Sequence, residues 1–156
     1  MDNMGFERGC SVNKRYLNRG KRLDCGDWVQ GSLLYAEATV GDDILAVIVE
    51  SMEWNHAEEF FNICKRYRID PATIGRFTGL KDKNGKLISE GDIIYSGVYS
   101  PFMTGNYQVQ YLDTEAKFIL VCEKGNYAGF DTGMGMDVEI IGNIHDNPEL
   151  LEVRND

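Results

Sequence analysis

The chain has 156 residues, of which 43% are apolar, and a formal net charge of −9. That size suits one domain or two small ones with an ordinary packed core. The acidity argues against a broad nucleic-acid footprint, which needs clustered Lys and Arg, and no apolar run is long enough to span a membrane as a helix.

Residues 1–13 show no hydrophobic period and are expected to form a flexible tail. "YLNRGKRL" and "DWVQGSLLYAEA" then read as two strands around the turn "DCGD", in which Gly26 tolerates a positive φ. This hairpin carries a local cluster of cations, Lys14, Arg15, Arg19, Lys21 and Arg22. They are read as a solvated basic edge that discourages edge-to-edge pairing, with an anionic partner as the alternative. "ATVGDDILAVIVE" continues the β style, with a turn at Gly41, Asp42 and Asp43 and a buried strand from Ile44 to Val49.

The pattern changes at "NHAEEFFNICKRYRIDP". Asn55 followed by Glu58 resembles a capping box, and Phe60, Cys64 and Tyr67 fall at helical spacing. Lys65, Arg66 and Arg68 would complement the helix dipole, and Pro71 would stop the helix. The spacing therefore predicts one amphipathic helix, with its aromatic stripe in the core.

From Thr73 onward the chain again reads as β. "TIGRFT" and "DIIY" are strands around "KDKNGK", where Asn84 and Gly85 form a tight-turn dipeptide. "YQVQYLD" alternates as a half-buried strand should, and "AKFILVC" suits a strand covered on both sides, the two pairing across "DTEA". "GNYAGFDTGMGMD" reads as a long loop, and "VEIIGNI" as the closing strand. "DNPELLE" reads as a helical turn capped by Asn147, with Pro148 at its first position.

Several local motifs imitate chemistry. Asp82, Asn84 and Gly85 match part of a calcium loop, but Leu80 and Gly91 would occupy its first and last ligand positions and cannot chelate. "DTG" at Asp131 to Gly133, followed by "IIGN", copies the aspartic-protease tripeptide, which must face a second Asp from another lobe or subunit, yet Gly129 and Phe130 precede it in place of an apolar strand and too few residues separate "DTG" from "IIG" to build the lobe. The cysteines, Cys10, Cys25, Cys64 and Cys122, form no CxxC pair, and with only His56 and His145 no zinc spacing emerges. Without a signal-peptide pattern the thiols are expected reduced, in a bacterial cytoplasm, with Cys64 and Cys122 in the core. Glu90 and Asp92 could be a carboxylate pair of a hydrolase. The competing reading is turn capping, in which Asp92 accepts backbone N–H bonds where a strand starts.

"FTGLKDKNGKLISEGDII" resembles the signature of the YopX family of phage and prophage proteins, through Thr78, Gly79, Leu80, Asp82, Lys83, Asn84, Gly85, Glu90, Gly91 and Asp92. "RGKRLDCGDWVQGSLLY" is similar to the family's N-terminal hairpin, with Trp28 and Gly31 among the matches. "EIIGNIHDNPELLE" is similar to its C-terminal end, with Gly142, Asn143, Asn147 and Pro148. The resemblance implies a small barrel related to SH3-like folds. It implies no established biochemical role and supplies no catalytic, cofactor or metal residues.

The resulting expectation is a mainly β (α+β) protein. It comprises an N-terminal β unit over residues 14–50, a helical insert over 51–71, and a small SH3-like barrel with a C-terminal helical turn over 72–156. The expected role is that of a non-enzymatic phage accessory protein acting through protein contacts, with itself and with an unknown host or phage protein. A hydrolase with carboxylates at the barrel mouth and a nucleic-acid binder using the basic hairpin are the alternatives. Neither a cofactor nor a membrane is expected.

Overall fold

The structure is a computed structural model that describes residues 17–37, 44–55, 58, 60–97, 104–122, 125, 127–130 and 138–152. The expected tail, Lys14, Arg15, the Gly41 to Asp43 turn and the Asp131 to Gly133 tripeptide lie outside the described residues.

The described strands form two antiparallel sheets. The first holds β1 (Asn18–Lys21), β2 (Trp28–Glu37), β3 (Ile44–Asn55), β4 (Phe60–Arg68), β5 (Gly75–Lys81) and β6 (Leu87–Ser89), in the order β4-β3-β2-β1-β5-β6. The second holds β7 (Asp92–Ser96), β8 (Gly105–Leu112), β9 (Lys117–Val121), β10 (Tyr127–Gly129) and β11 (Val138–Asn143), in the order β10-β9-β8-β7-β11.

The N-terminal hairpin forms as its sequence dictates. β1 pairs with β2 from Asn18↔Gly31 to Lys21↔Trp28, and Gly26 turns the chain with φ 77°. β8 and β9 pair across residues 113–116, and Ile119 and Leu120 are both buried, so β9 is covered on both faces. The glycine-rich segment expected as a loop contributes a short strand, β10, paired to β9. Pro148–Leu151 forms a 3-10 turn with Pro148 in its first turn, but the Asn147 side chain makes no capping hydrogen bond.

The predicted helix is not formed. Its residues are β4, which pairs with β3 from Val47↔Arg68 to Asn55↔Phe60. The reason is tertiary. β3 outruns β2, whose pairing stops at Ser32↔Val49, and β4 supplies the partner that β3 would otherwise lack. The same residues include strand formers, among them Ile63 and Tyr67, and packing context overrides the weak helical spacing. Cys64, expected in the core, is exposed on this strand. Pro71 opens a 3-10 turn, Pro71–Thr73, capped by Asp70, whose carboxylate accepts from the Ala72 N–H at 3.0 Å.

The expected closed barrel is not formed by the described strands either. β10 and β11 end the five-stranded sheet as edges. β5 pairs instead with β1, through Asn18↔Arg76 and Arg19↔Gly75, which draws the β5–β6 hairpin into the first sheet. The sheets nevertheless share packing. Ile88 of β6 is buried in a core with Ile94, Tyr107, Val109, Leu120, Phe130 and Val138, and Leu80 of β5 packs against it. A second core lies under the first sheet, with Ala46, Ile48 and Ile69 packed against Val29, Leu33 and Ile74.

Candidate functional site at the joint between the sheets

The segment from Arg76 to Ile94 leaves the first sheet and enters the second. Two joints hold it, and most of the signature residues sit in them.

The first joint is the β5–β6 turn. The Asp82 N–H donates to the Lys86 carbonyl at 2.9 Å, and the Gly85 N–H to the Asp82 carbonyl at 2.9 Å. This is a three-residue hairpin loop with Gly85 in the left-handed region at φ 81°, while Asn84 keeps an ordinary negative φ. The buried Asp82 carboxylate accepts from the Asn84 N–H at 2.9 Å, the Lys86 N–H at 2.8 Å and the Ile140 N–H of β11 at 3.3 Å. The last of these ties the turn to the second sheet. The Lys83 N–H bonds the Val138 carbonyl at 2.9 Å, and the Lys83 ammonium pairs with Glu139. Asn84 also reaches Glu139 at 3.5 Å. Asp82 is thus an organising acceptor of the loop, not a member of a calcium loop.

The second joint is built around Glu90, Gly91 and Asp92. Gly91 has φ 82°, and its N–H donates to the Val109 carbonyl at 2.8 Å while its carbonyl accepts from the Ile144 N–H at 2.8 Å. The Asp92 side chain is 2% exposed and accepts from the Ser89 N–H at 2.8 Å. Its other oxygen pairs with the Arg19 guanidinium. Arg19 reaches across from β1 and also donates to the Glu90 carbonyl at 3.0 Å. The Glu90 side chain turns away and pairs with Arg76 at 3.2 Å. The two acids therefore have separate basic partners and do not form a carboxylate pair.

Around this ion pair lies a polar and aromatic cluster. The Arg19 guanidinium stands 4.8 Å from the Trp28 ring centroid and the Lys21 ammonium 5.9 Å from it, both within cation–π range. Trp28 meets His145 at 5.8 Å between ring centroids. The Trp28 indole N–H donates to Asp146 at 2.7 Å, the Asn143 amide donates to the same oxygen at 2.8 Å, and Lys21 pairs with the other oxygen. Asn143 in turn accepts from the N–H groups of His145 and Asp146, each at 3.0 Å. Gly142 sits against Asn147 and Leu150, where an added Cβ would come within 2.7 Å of both side chains.

Among the signature residues, Trp28, Glu90, Gly91, Asp92 and Asn143 thus meet in one place. Asp82, Asn84 and Gly85 form the other joint. Gly79 lies within β5 at φ 91°, Gly31 lies beneath β3, and Gly142, Asn147 and Pro148 shape the C-terminal turn. Sequence reasoning missed His145 and Asp146 as partners of Trp28. An available signal was the "NIHD" spacing, since Asn followed by backbone donors two and three residues on is an Asx turn.

The charges of the cluster have definite consequences. Side-chain hydrogen bonds from Lys21, Asn143 and Trp28 hold the Asp146 carboxyl far below the usual carboxylate range. The backbone donors around Asp82 outweigh its burial and hold it low as well. Burial, with repulsion from Arg19 and Lys21, pushes His145 below 6.5. Burial pushes Asp92 upward, with Arg19 and the Ser89 N–H pulling the other way.

A group with a depressed folded value contributes stability above its unfolded value and loses it as pH falls. His145 therefore begins to destabilise the fold below its ordinary value of 6.5, and Asp82 and Asp146 do so below 3.8. Asp92 has the opposite sign. Thermal melts from pH 8 to pH 3 are expected to show a shallow decline followed by a steep one. The Asp146→Asn variant is expected to melt lower at neutral pH and to decline less steeply below pH 3.8. Parallel curves for the two proteins would refute this role for Asp146.

Among the described residues, no group of three or more His, Cys, Asp or Glu is placed to hold a metal ion. The arrangement is suited to fixing the two sheets to each other.

A family model described as YopX protein matches residues 19–152. Among solved structures, the chain is similar to protein EF1440 from Enterococcus faecalis, with 23% identity and a TM-score of 0.58, over 86% of this chain and 96% of that chain. At that identity the likeness concerns the fold. No match was found among curated proteins.

Proposed function

Because the chain belongs to the YopX family, we propose that it is a phage- or prophage-encoded accessory protein that acts in the bacterial cytoplasm through protein contacts, without catalysis. The observation that carries this reading is the surface of β2, β3 and β4. Leu34 and Tyr35 are neighbours in β2 and point to opposite faces, yet they are 45% and 64% exposed. Met52 and Ile63, cross-strand partners in β3 and β4, are 50% and 40% exposed. Apolar side chains thus stand in solvent on both faces of one sheet, and this exposed apolar surface is the part of the chain best suited to a protein contact.

The two other readings receive less support. A hydrolase would use Glu90 and Asp92, but each has a basic partner of its own and Asp92 is buried. A nucleic-acid binder would use the hairpin cations. Arg19, Lys21 and Arg22 are instead paired with Asp92, Asp146 and Asp24.

The test is affinity capture from lysogenic or phage-infected cells, comparing the native chain with a Tyr35→Ser/Met52→Ser variant that melts at the same temperature. A protein retained by the native chain and lost by the variant supports the reading. Equal retention by both, or a turnover activity abolished by Asp92→Asn without loss of folding, overturns it.

A further inference from the structure

Resting on the reading of the β2–β4 surface as a contact site, we propose that its occupant is an acidic and apolar segment of another protein, seated on the face that carries Leu34, Val47, Arg66 and Arg68.

The pairing registers define that face. Leu34, Val47 and Arg68 lie opposite one another across β2, β3 and β4, so their side chains share a face, and Arg66 joins them two residues before Arg68. Ala46 and Ile48 belong to the other face, with Tyr35 and Tyr67 as cross-strand partners, and that face builds the core beneath the sheet. Leu34, Arg66 and Arg68 are exposed and Val47 is half-buried. Leu23, also exposed, adjoins this row where its N–H donates to the Arg68 carbonyl at 3.0 Å. That bond occupies the outer edge of β4 at Arg68, so the open surface there is the face of the strand and not its edge.

Charge selects the occupant. The chain carries a net charge of −9, yet these two arginines have no acid of their own among the described residues. Arg19, Arg22 and Arg76 each pair with a carboxylate, and each also stacks on an aromatic ring. Lys65, between Arg66 and the bulge, is held by Glu50. Arg66 and Arg68 do neither, and they stand beside exposed leucine. An apolar partner alone would cover two cations without compensation, which is costly, whereas carboxylates on the partner turn the same cations into complementary contacts. Side chains two apart on a strand stand about 7 Å from each other, within reach of two acids on one short segment. Nucleic acid fits this face less well. Single strands bind by stacking bases on aromatic rings, and the tyrosines of this stretch lie on the other face.

The test is selection of a random peptide library, displayed on phage, against the immobilised native chain. Retained peptides are expected to combine Asp or Glu with Leu, Ile, Val or Phe. Their affinity, read by fluorescence anisotropy, is expected to fall roughly fivefold or more in Arg66→Gln/Arg68→Gln, from the loss of two exposed charge pairs. Both arginines are exposed, so this variant is expected to melt with the native chain. In Arg66→Glu/Arg68→Glu, peptides whose acids are changed to Lys are expected to regain binding. Retained peptides without acidic enrichment overturn the proposal, and so does equal affinity for the native chain and the Gln variant. A single-stranded oligonucleotide that binds in place of the peptides, or a native dimer that the Gln variant disperses, assigns the face to nucleic acid or to a second copy and likewise overturns it. If the peptides fail while cellular capture still depends on Tyr35 and Met52, the acidic partner is refuted and the contact-site reading stands.

Discussion

Asp92→Ala is expected to destabilise the fold by about 3–5 kcal/mol, the range for removing one partner of a buried ion pair. The carboxylate is almost wholly inaccessible, and its loss leaves the Arg19 guanidinium, whose side chain is 11% exposed, without its counter-charge. Arg19 Nε is already buried without a hydrogen-bond partner, so the guanidinium depends on its remaining contacts. The Ser89 N–H loses its acceptor as well. The effect should shrink when the charge is removed from the other side. In the Arg19→Met/Asp92→Ala double variant no uncompensated cation remains, and the total loss is expected to fall below the sum of the two single losses. Urea denaturation of the four proteins gives the coupling energy directly. Strict additivity, or a single-variant loss below about 1 kcal/mol, would mean that the pair does not join the sheets, since that is the scale of an exposed ion pair.

Glu90→Ala is a useful contrast, because the paired Arg76 is half exposed and its partner acid partly so. Surface pairs of this kind contribute at most about 1 kcal/mol. The two acids sit two residues apart in the sequence, and their difference is legible only in the structure. The sequence indicated correctly that Asp92 accepts a backbone N–H where a strand begins. It held no sign of Arg19, which lies 73 residues away and arrives only because β1 pairs with β5.

The same division runs through the fold. Local chemistry was readable: the turns at Gly26 and Gly85, the β8–β9 hairpin, and the proline opening the last turn. Partner choice between distant strands was not. Phe60, Cys64 and Tyr67 are compatible with a helix taken alone, and β4 forms along β3, including the stretch beyond Val49 where β2 has left β3 for β1. The barrel expectation failed for a related reason. Closure would have needed strands that the N-terminal hairpin takes as its own neighbours. In the candidate site, Trp28 and Asn143 were singled out as signature residues, but their meeting through Asp146 follows from the return of the chain after β11.

Gly31→Ala is expected to be the most damaging of the small substitutions, at about 3 kcal/mol, the upper part of the range for forcing extra atoms into a packed site. Gly31 was read from sequence as a signature residue of the N-terminal hairpin. Its role in the structure is close approach. A Cβ built there would stand 2.2 Å from the Val49 carbonyl oxygen, 2.8 Å from the Val49 carbonyl carbon and 3.0 Å from Ile48 Cγ2. The first two are backbone atoms of β3 and cannot rotate aside, and Ile48 is fully buried beneath them. A single methyl group must therefore push β2 from β3 just where β2 passes from pairing with β1 to pairing with β3. Gly26→Ala is the control. That residue has φ 77° with no atom within 4 Å of its would-be Cβ, so only the left-handed backbone resists it, at about 1–2 kcal/mol. Denaturant melts of both variants are expected to rank Gly31→Ala well below Gly26→Ala in stability. The reverse order would show that the sheet can yield at Gly31, and that the glycine serves turn geometry instead of contact between strands.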